Sequence, residues 1–100
     1  MKTVLSNQFH IIHVPIISEG HLTEAVFEDL QDTEPGDEFF GALCMVGCGA
    51  MVHCESPQLL SKNAPECLRK VVEWGKGKGF EWVRLDADGS VIKELALHDW

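Results

Sequence analysis

The sequence predicts an α+β domain, an antiparallel sheet with two helices on one face, ordered β-α-β-β-α-β before a C-terminal extension. Apolar, β-branched runs bounded by Gly, Pro, Asn and Asp recur along the chain. Two intervening segments repeat their apolar residues at helical spacing, and each follows a residue able to cap a helix. This order matches the split βαβ, ferredoxin-like arrangement. One hundred residues, 45% hydrophobic and 24% charged, supply a single modest core, so residues 1–100 are expected to form one domain.

The first strand is expected over Phe9 to Ile17, with Pro15, which cannot donate to a ladder, at an edge or bulge. Thr23 is a good N-cap for the first helix, and Leu22 and Phe27 have the spacing of a hydrophobic staple. Leu22, Val26, Phe27 and Leu30 share one face of that helix; Glu24, Glu28, Asp29 and Asp32 take the other. Thr33-Glu34-Pro35-Gly36-Asp37 reads as a turn. Phe39 to Val46 and Ala50 to Glu55 form a hairpin joined at Gly47-Cys48-Gly49, and Ser56-Pro57 ends it. Asn63 is placed to cap a helix from Ala64 to Trp74, with Pro65 tolerated in its first turn. Leu68, Val71 and Val72 give this helix its apolar face, and Gly75, Gly77 and Gly79 its exit. Phe80 to Asp86 is a fourth strand, Ala87-Asp88-Gly89 a turn in which Gly supplies positive φ, and Ser90 to Leu95 a fifth strand.

The middle hairpin is apolar on both sides. With Val46 opposite Ala50, one face carries Phe40, Ala42, Cys44, Val46, Ala50, Val52 and Cys54. The other carries Phe39, Leu43, Met45, Met51 and His53. Two helices cover only one face of such a sheet, so the second set is a candidate surface for homodimer formation unless the terminal segments cross it.

Charge is distributed one-sidedly. Thr3 to Ser61, 59 residues, contain no Lys or Arg but nine acids: Glu19, Glu24, Glu28, Asp29, Asp32, Glu34, Asp37, Glu38 and Glu55. Lys2 offsets one. From Lys62 onward seven bases cancel seven acids, so the net charge of −8 belongs to the first part of the chain. Such a surface repels nucleic acid and attracts a basic protein surface. No apolar run reaches the roughly 20 residues needed to span a bilayer, and the first eight residues lack the apolar core of a signal peptide. A cytoplasmic protein with reduced thiols is expected.

Cys44, Cys48, Cys54, Cys67 and His53 are the most chemical-looking group, but zinc sites favour paired ligands at C-x2-C spacing and these spacings are x3, x5 and x12. Structural thiols are the better reading, with no metal and no cofactor expected; a metal or thiol-redox module is the alternative. Asp86 and Asp88 have the strand-end spacing of an aspartyl phosphotransferase nucleophile pair and part of an EF-hand loop, but a turn explains Asp-Ala-Asp-Gly. Ser18 and His21 lack an evident third member for nucleophilic catalysis. His10, His13, His21, His53 and His98 are otherwise scattered. No catalytic residue is assigned.

Ser18-Glu19-Gly20-His21-Leu22-Thr23 resembles the S-x-x-H-[LI]-T opening of an uncharacterised family of small bacterial proteins. Phe80 to Ile92, closing on Asp99-Trp100, is similar to that family's W-[LV]-x-[LF]-D-x-D-G-x-[VI]-[VI]…D-W ending. The family is a domain of unknown function found on plasmids and prophages. The resemblance implies a mobile-element setting and supplies no catalytic residues.

The functional expectation is a non-enzymatic, stoichiometric binding protein of phage or plasmid type. Glu24, Glu28, Asp29, Asp32, Glu34, Asp37 and Glu38 would face a basic partner protein. Its concrete form is an acidic inhibitor of a host nucleic-acid-binding or defence complex, anti-CRISPR-like, in which carboxylates along a helix take the place of phosphates. The bland alternative is a solvated face serving solubility. An enzyme centred on Asp86 and Asp88 is the third reading.

Overall fold

The computed structural model describes residues 12–45, 48–98 and 100, with Cys48 described by its backbone alone. The fold is α+β. Strand β1 (Ile16–Ser18) leads through a 3-10 turn (Glu19–His21) into helix α1 (Glu24–Asp32). Strands β2 (Glu38–Phe39), β3 (Ala42–Met45) and β4 (Cys48–His53) follow, then helix α2 (Glu66–Gly77) and strand β5 (Trp82–Asp86). The five strands form one sheet in the order β1-β5-β4-β3-β2.

Two features of the expected sheet are corrected. It is mixed, because β1 runs parallel to β5 while the other pairs are antiparallel. A ferredoxin-like sheet would insert the first strand between β4 and β5; here those two pair directly, Val52 opposite Val83. Pro15 supplies the reason. It has no N–H and only its carbonyl joins the ladder, accepting from Arg84 N at 2.9 Å. Within the described residues the first strand is therefore three residues long and lies outside β5. The stretch 9–11 lies outside the described residues.

The expected strand from Phe39 to Val46 is broken. Phe40 and Gly41 both take positive φ (51° and 92°), folding β2 back on β3. In the β3–β4 hairpin Cys44 faces Ala50, two residues away from the expected Val46–Ala50 pairing, with a bulge between Cys44 and Met45. A slip of two preserves the faces, where a slip of one would invert them. Ala42, Cys44, Ala50, Val52 and Cys54 accordingly turn to the helices and are buried. Phe39 pairs with Ala42 and packs on this core face, not with Leu43, Met45, Met51 and His53. Val46 and the Gly47 turn lie outside the described residues.

Thr23 caps α1 as expected, its hydroxyl accepting from Val26 N. Helix α2 starts two residues later and ends three residues later than expected. Pro65 is its N-cap residue, with no side-chain cap, because the Ser61 hydroxyl takes the Asn63 N–H and holds Asn63 in the preceding turn. Its buried residues Leu68, Val71, Val72 and Gly75 lie on the sheet with Ile17, Leu22, Leu59, Val83 and Leu85.

The fifth strand is replaced by a strap. Beyond β5 the chain crosses the end of β1 and Ser90 bridges its far side (Ser18 N to Ser90 O, 2.9 Å; Ser90 N to Ile16 O, 3.1 Å). Ile92 N then donates to His21 Nε2 at 2.8 Å instead of to a ladder. That bond requires Nε2 to be unprotonated, so Nδ1 carries the proton and donates to Ala96 O at 2.9 Å. His98 N donates to Gly20 O (2.8 Å), Trp100 Nε1 donates to Leu22 O (2.9 Å), and the indole packs on the Phe27 ring at 4.7 Å with the planes tilted by 37°. Ser18 caps the 3-10 turn by accepting from Gly20 N. The segments 18–23 and 86–98, with Trp100, are thus one interlocked unit.

Candidate functional site

Helix α1 divides its residues by the 3.6 period. Leu30 is buried, Val26 and Phe27 are half-buried, and Glu24, Glu28, Asp29 and Asp32 are exposed. Glu34, Asp37 and Glu38 continue the acidic face and are exposed as well. The loop carrying Glu34 and Asp37 is fixed to β3, Gly36 N donating to Cys44 O and Cys44 N to Asp37 O at 2.9 and 3.0 Å, and Glu38 opens β2 opposite Leu43. The Thr33 hydroxyl closes the helix on Asp29 O. None of the seven acids pairs with a Lys, Arg or His among the described residues. Glu24, Glu28 and Asp32 are spaced as like charges at i,i+4, each such pair costing the helix about 0.2–0.5 kcal/mol. Asp29 and Asp32 lie at the negative end of the helix dipole, a further small cost.

Beside this face lies a cleft of about 560 Å3. Because β1 and β5 are parallel, with Ser18 opposite Asp86, their C-terminal ends leave the sheet together and bring Glu19, Asp86 and Asp88 to one wall. The C-terminal ends of parallel strands are where open α/β sheets place their ligands. Leu30, Gln31, Thr33 and Pro35 from the end of α1 and its loop also line the cleft, and Phe27 and Met45 add apolar surface. Asp86 is partly satisfied: Oδ1 accepts from Asp88 N at 2.9 Å and Oδ2 lies 3.3 Å from Arg84 Nη2. The Glu19 carboxylate has no hydrogen-bond or ion-pair partner among the described residues, while the residue's backbone carbonyl accepts from Leu22 N. Its carboxyl sits above the ordinary value of 4.5, mainly because burial penalises the charge and secondarily because Asp86 repels it. Gly49 makes room for it: a Cβ there would lie 2.5 Å from Glu19 Oε2 and 2.4 Å from Leu85 O.

A stability consequence follows from the raised Glu19 carboxyl. The fold favours its protonated form, so the charged form costs stability once the pH rises through the raised value. Glu19→Gln is expected to raise the thermal midpoint at pH 7. The gain should vanish below the ordinary carboxylate range, where Glu19 is protonated folded or unfolded. Calorimetry at pH 7 and pH 3.5 tests this, and an equal gain at both would refute it.

A second cleft, of about 500 Å3, lies between the starts of α1 and α2 and the strap, lined by His21, Thr23, Cys67, Lys70, Glu94, Leu95 and His98 among others. Both nitrogens of His21 are engaged by the strap backbone, so His21 is not free to act as a base toward Ser18, whose hydroxyl serves the 3-10 turn. Burial pushes the thiols of Cys44 and Cys54 upward, which suppresses the reactive thiolate. Cys67 lies 4.0 Å from the Thr23 hydroxyl. Among the described residues no group of three or more His, Cys, Asp or Glu is placed to hold a metal ion.

Leu43, Met45, Met51 and His53 line the outer sheet face, each half-buried, with His53 edge-to-face against Trp82 at 4.7 Å. Asp86 and Asp88 occupy the turn read from their spacing. Gly89 is not in the positive-φ region; its lack of a Cβ is what the turn uses. Sequence reading missed Glu19 as a cleft residue. The available signal was that an acid follows the first strand as one ends the last, useful only once those strands are known to be parallel neighbours.

No helix among the described residues is long and apolar enough to cross a membrane. Neither the comparison with curated proteins nor that with solved structures yields a match. Residues 14–100 match the model for the C-terminal domain of a family of unknown function, DUF5983. That match takes in both the acidic helix and the interlocked segments, and the chain belongs to the DUF5983 family.

Proposed function

We propose that this protein is a non-enzymatic, stoichiometric inhibitor or adaptor that docks the acidic face of α1 and the following loop onto a basic protein surface. The observation that carries the reading is the set of seven exposed carboxylates without an ion-pair partner among the described residues, held on a helix and a loop tied to the sheet. Glu24, Glu28 and Asp32 in consecutive turns repel one another and cost the isolated helix stability. A partner carrying Lys and Arg converts that repulsion into attraction. The partner class is a nucleic-acid-binding or defence protein whose phosphate groove these carboxylates fill, in an anti-CRISPR-like role on a plasmid or phage.

The test is a pull-down from host lysate with the wild-type chain and with Glu24→Lys, Glu28→Lys and Asp32→Lys combined. Exposed charge pairs contribute about 0.2–1 kcal/mol each, so three reversals should weaken capture by about tenfold or more. Capture by the wild type should also fall as salt rises, since exposed charges are screened within about 8 Å at physiological ionic strength. An unchanged set of captured proteins would sink the proposal.

A further inference from the structure

The acidic face does not stop at the end of α1. Gln31, Thr33 and Pro35, which line the 560 Å3 cleft, alternate in sequence with the exposed Asp32 and Glu34. A partner lying along the helix therefore meets the cleft mouth. The walls differ in character: Phe27, Leu30 and Met45 are apolar, while Glu19, Asp86 and Asp88 are anionic. This combination suits a cation with an apolar, planar body.

We propose that the cleft receives an arginine side chain of the basic partner, its guanidinium bridging Glu19 and Asp86 while its stem lies on the apolar wall. This rests on the acidic-face reading and adds the anchor residue to it. The planar fork of arginine meets two carboxylates at once, which the point charge of lysine does not, and its stem tolerates burial on an apolar surface. Glu19 is the informative group. Its carboxylate is half-buried with no side-chain partner among the described residues, set against a backbone position where only glycine leaves space, and repelled by Asp86. A group held at a cost in the free molecule is what a preformed binding site contains.

The experiment is a fluorescence-anisotropy titration of the full chain with labelled hexa-arginine and hexa-lysine peptides. Wild type is expected to bind the arginine peptide at least fivefold more tightly. Glu19→Gln, which keeps the fold and is expected to stabilise it, should remove that preference and weaken the arginine peptide about tenfold. The combined Lys substitutions at Glu24, Glu28 and Asp32 should weaken both peptides by the same factor. Equal binding of the two peptides by wild type, or an arginine preference that survives Glu19→Gln, overturns the cleft proposal while leaving the helix face intact. Peptide binding that ignores the α1 substitutions overturns the helix face instead.

Discussion

Alanine at position 89 is expected to cost the fold about 3–5 kcal/mol, close to the full stability of a small domain. The chain leaving β5 crosses the end of β1 to bring Ser90 to its far side, and Gly89 is the point of closest passage. A Cβ there would lie 2.2 Å from both the carbonyl carbon and the oxygen of Ile17 and 2.8 Å from its Cα. Those are backbone atoms of a buried strand residue and cannot rotate aside as a side-chain tip can. Relief requires the crossing to lift, which breaks the two backbone bonds between Ser90 and β1 and draws the strap after it. The φ of Gly89 is not positive, so the penalty is steric contact and not a left-handed backbone. Gly77→Ala is the control. Nothing lies within 4 Å of its Cβ position in α2, so alanine there should be neutral or add up to about 1 kcal/mol. Urea unfolding of both variants decides the matter: a Gly89→Ala midpoint equal to wild type would mean that the crossing is not tight.

Much of the fold was legible because it rests on local chemistry. Thr23 caps α1 through its own side chain, and the staple pair Leu22 and Phe27 flanks that cap. The hairpin faces were readable even though the register was not. Alternation assigns each side chain to a face, and a two-residue slip leaves that assignment standing. Phe39 escaped because alternation ends at Phe40, where a non-glycine residue takes positive φ and no residue pattern announces it. The parallel β1–β5 pair was illegible for a different reason. Three residues carry too little pattern to choose a partner, and the choice depends on an apolar surface contributed almost 70 residues later. The acidic helix face could therefore be read residue by residue. The cleft could not, since Glu19 and Asp86 meet only through that long-range pair. His21 shows the same limit: one histidine in a polar segment gives no sign that two strap backbone groups will close on it.

His21→Ala is expected to destabilise the protein by about 2–4 kcal/mol, combining two orphaned backbone groups with a lost buried ring. His21 is 2% exposed and is the only buried polar or charged residue among those described. Its ring joins the 3-10 turn to the strap at two points, accepting from Ile92 N at Nε2 and donating from Nδ1–H to Ala96 O. Alanine leaves both strap groups unpaired and opens a void beside Leu22. The two bonds can be separated by substitution. Glutamine places an amide oxygen near the Nε2 position and should restore protection of the Ile92 amide. Asparagine reaches only as far as Nδ1 and should recover the Ala96 contact while leaving Ile92 open. Hydrogen exchange read at Ile92, with urea unfolding for the total, tests this directly. If His21 merely filled space, Gln and Asn would recover stability without distinguishing the Ile92 amide. If it acts as a two-point clasp, Ile92 protection follows Gln and not Asn, and Trp100 loses its bond to Leu22 O only in the variants whose strap detaches. The clasp is also why 18–23 and 86–98 form one unit. Each supplies the hydrogen-bond partners that the other, lacking regular secondary structure along most of its length, cannot find within itself.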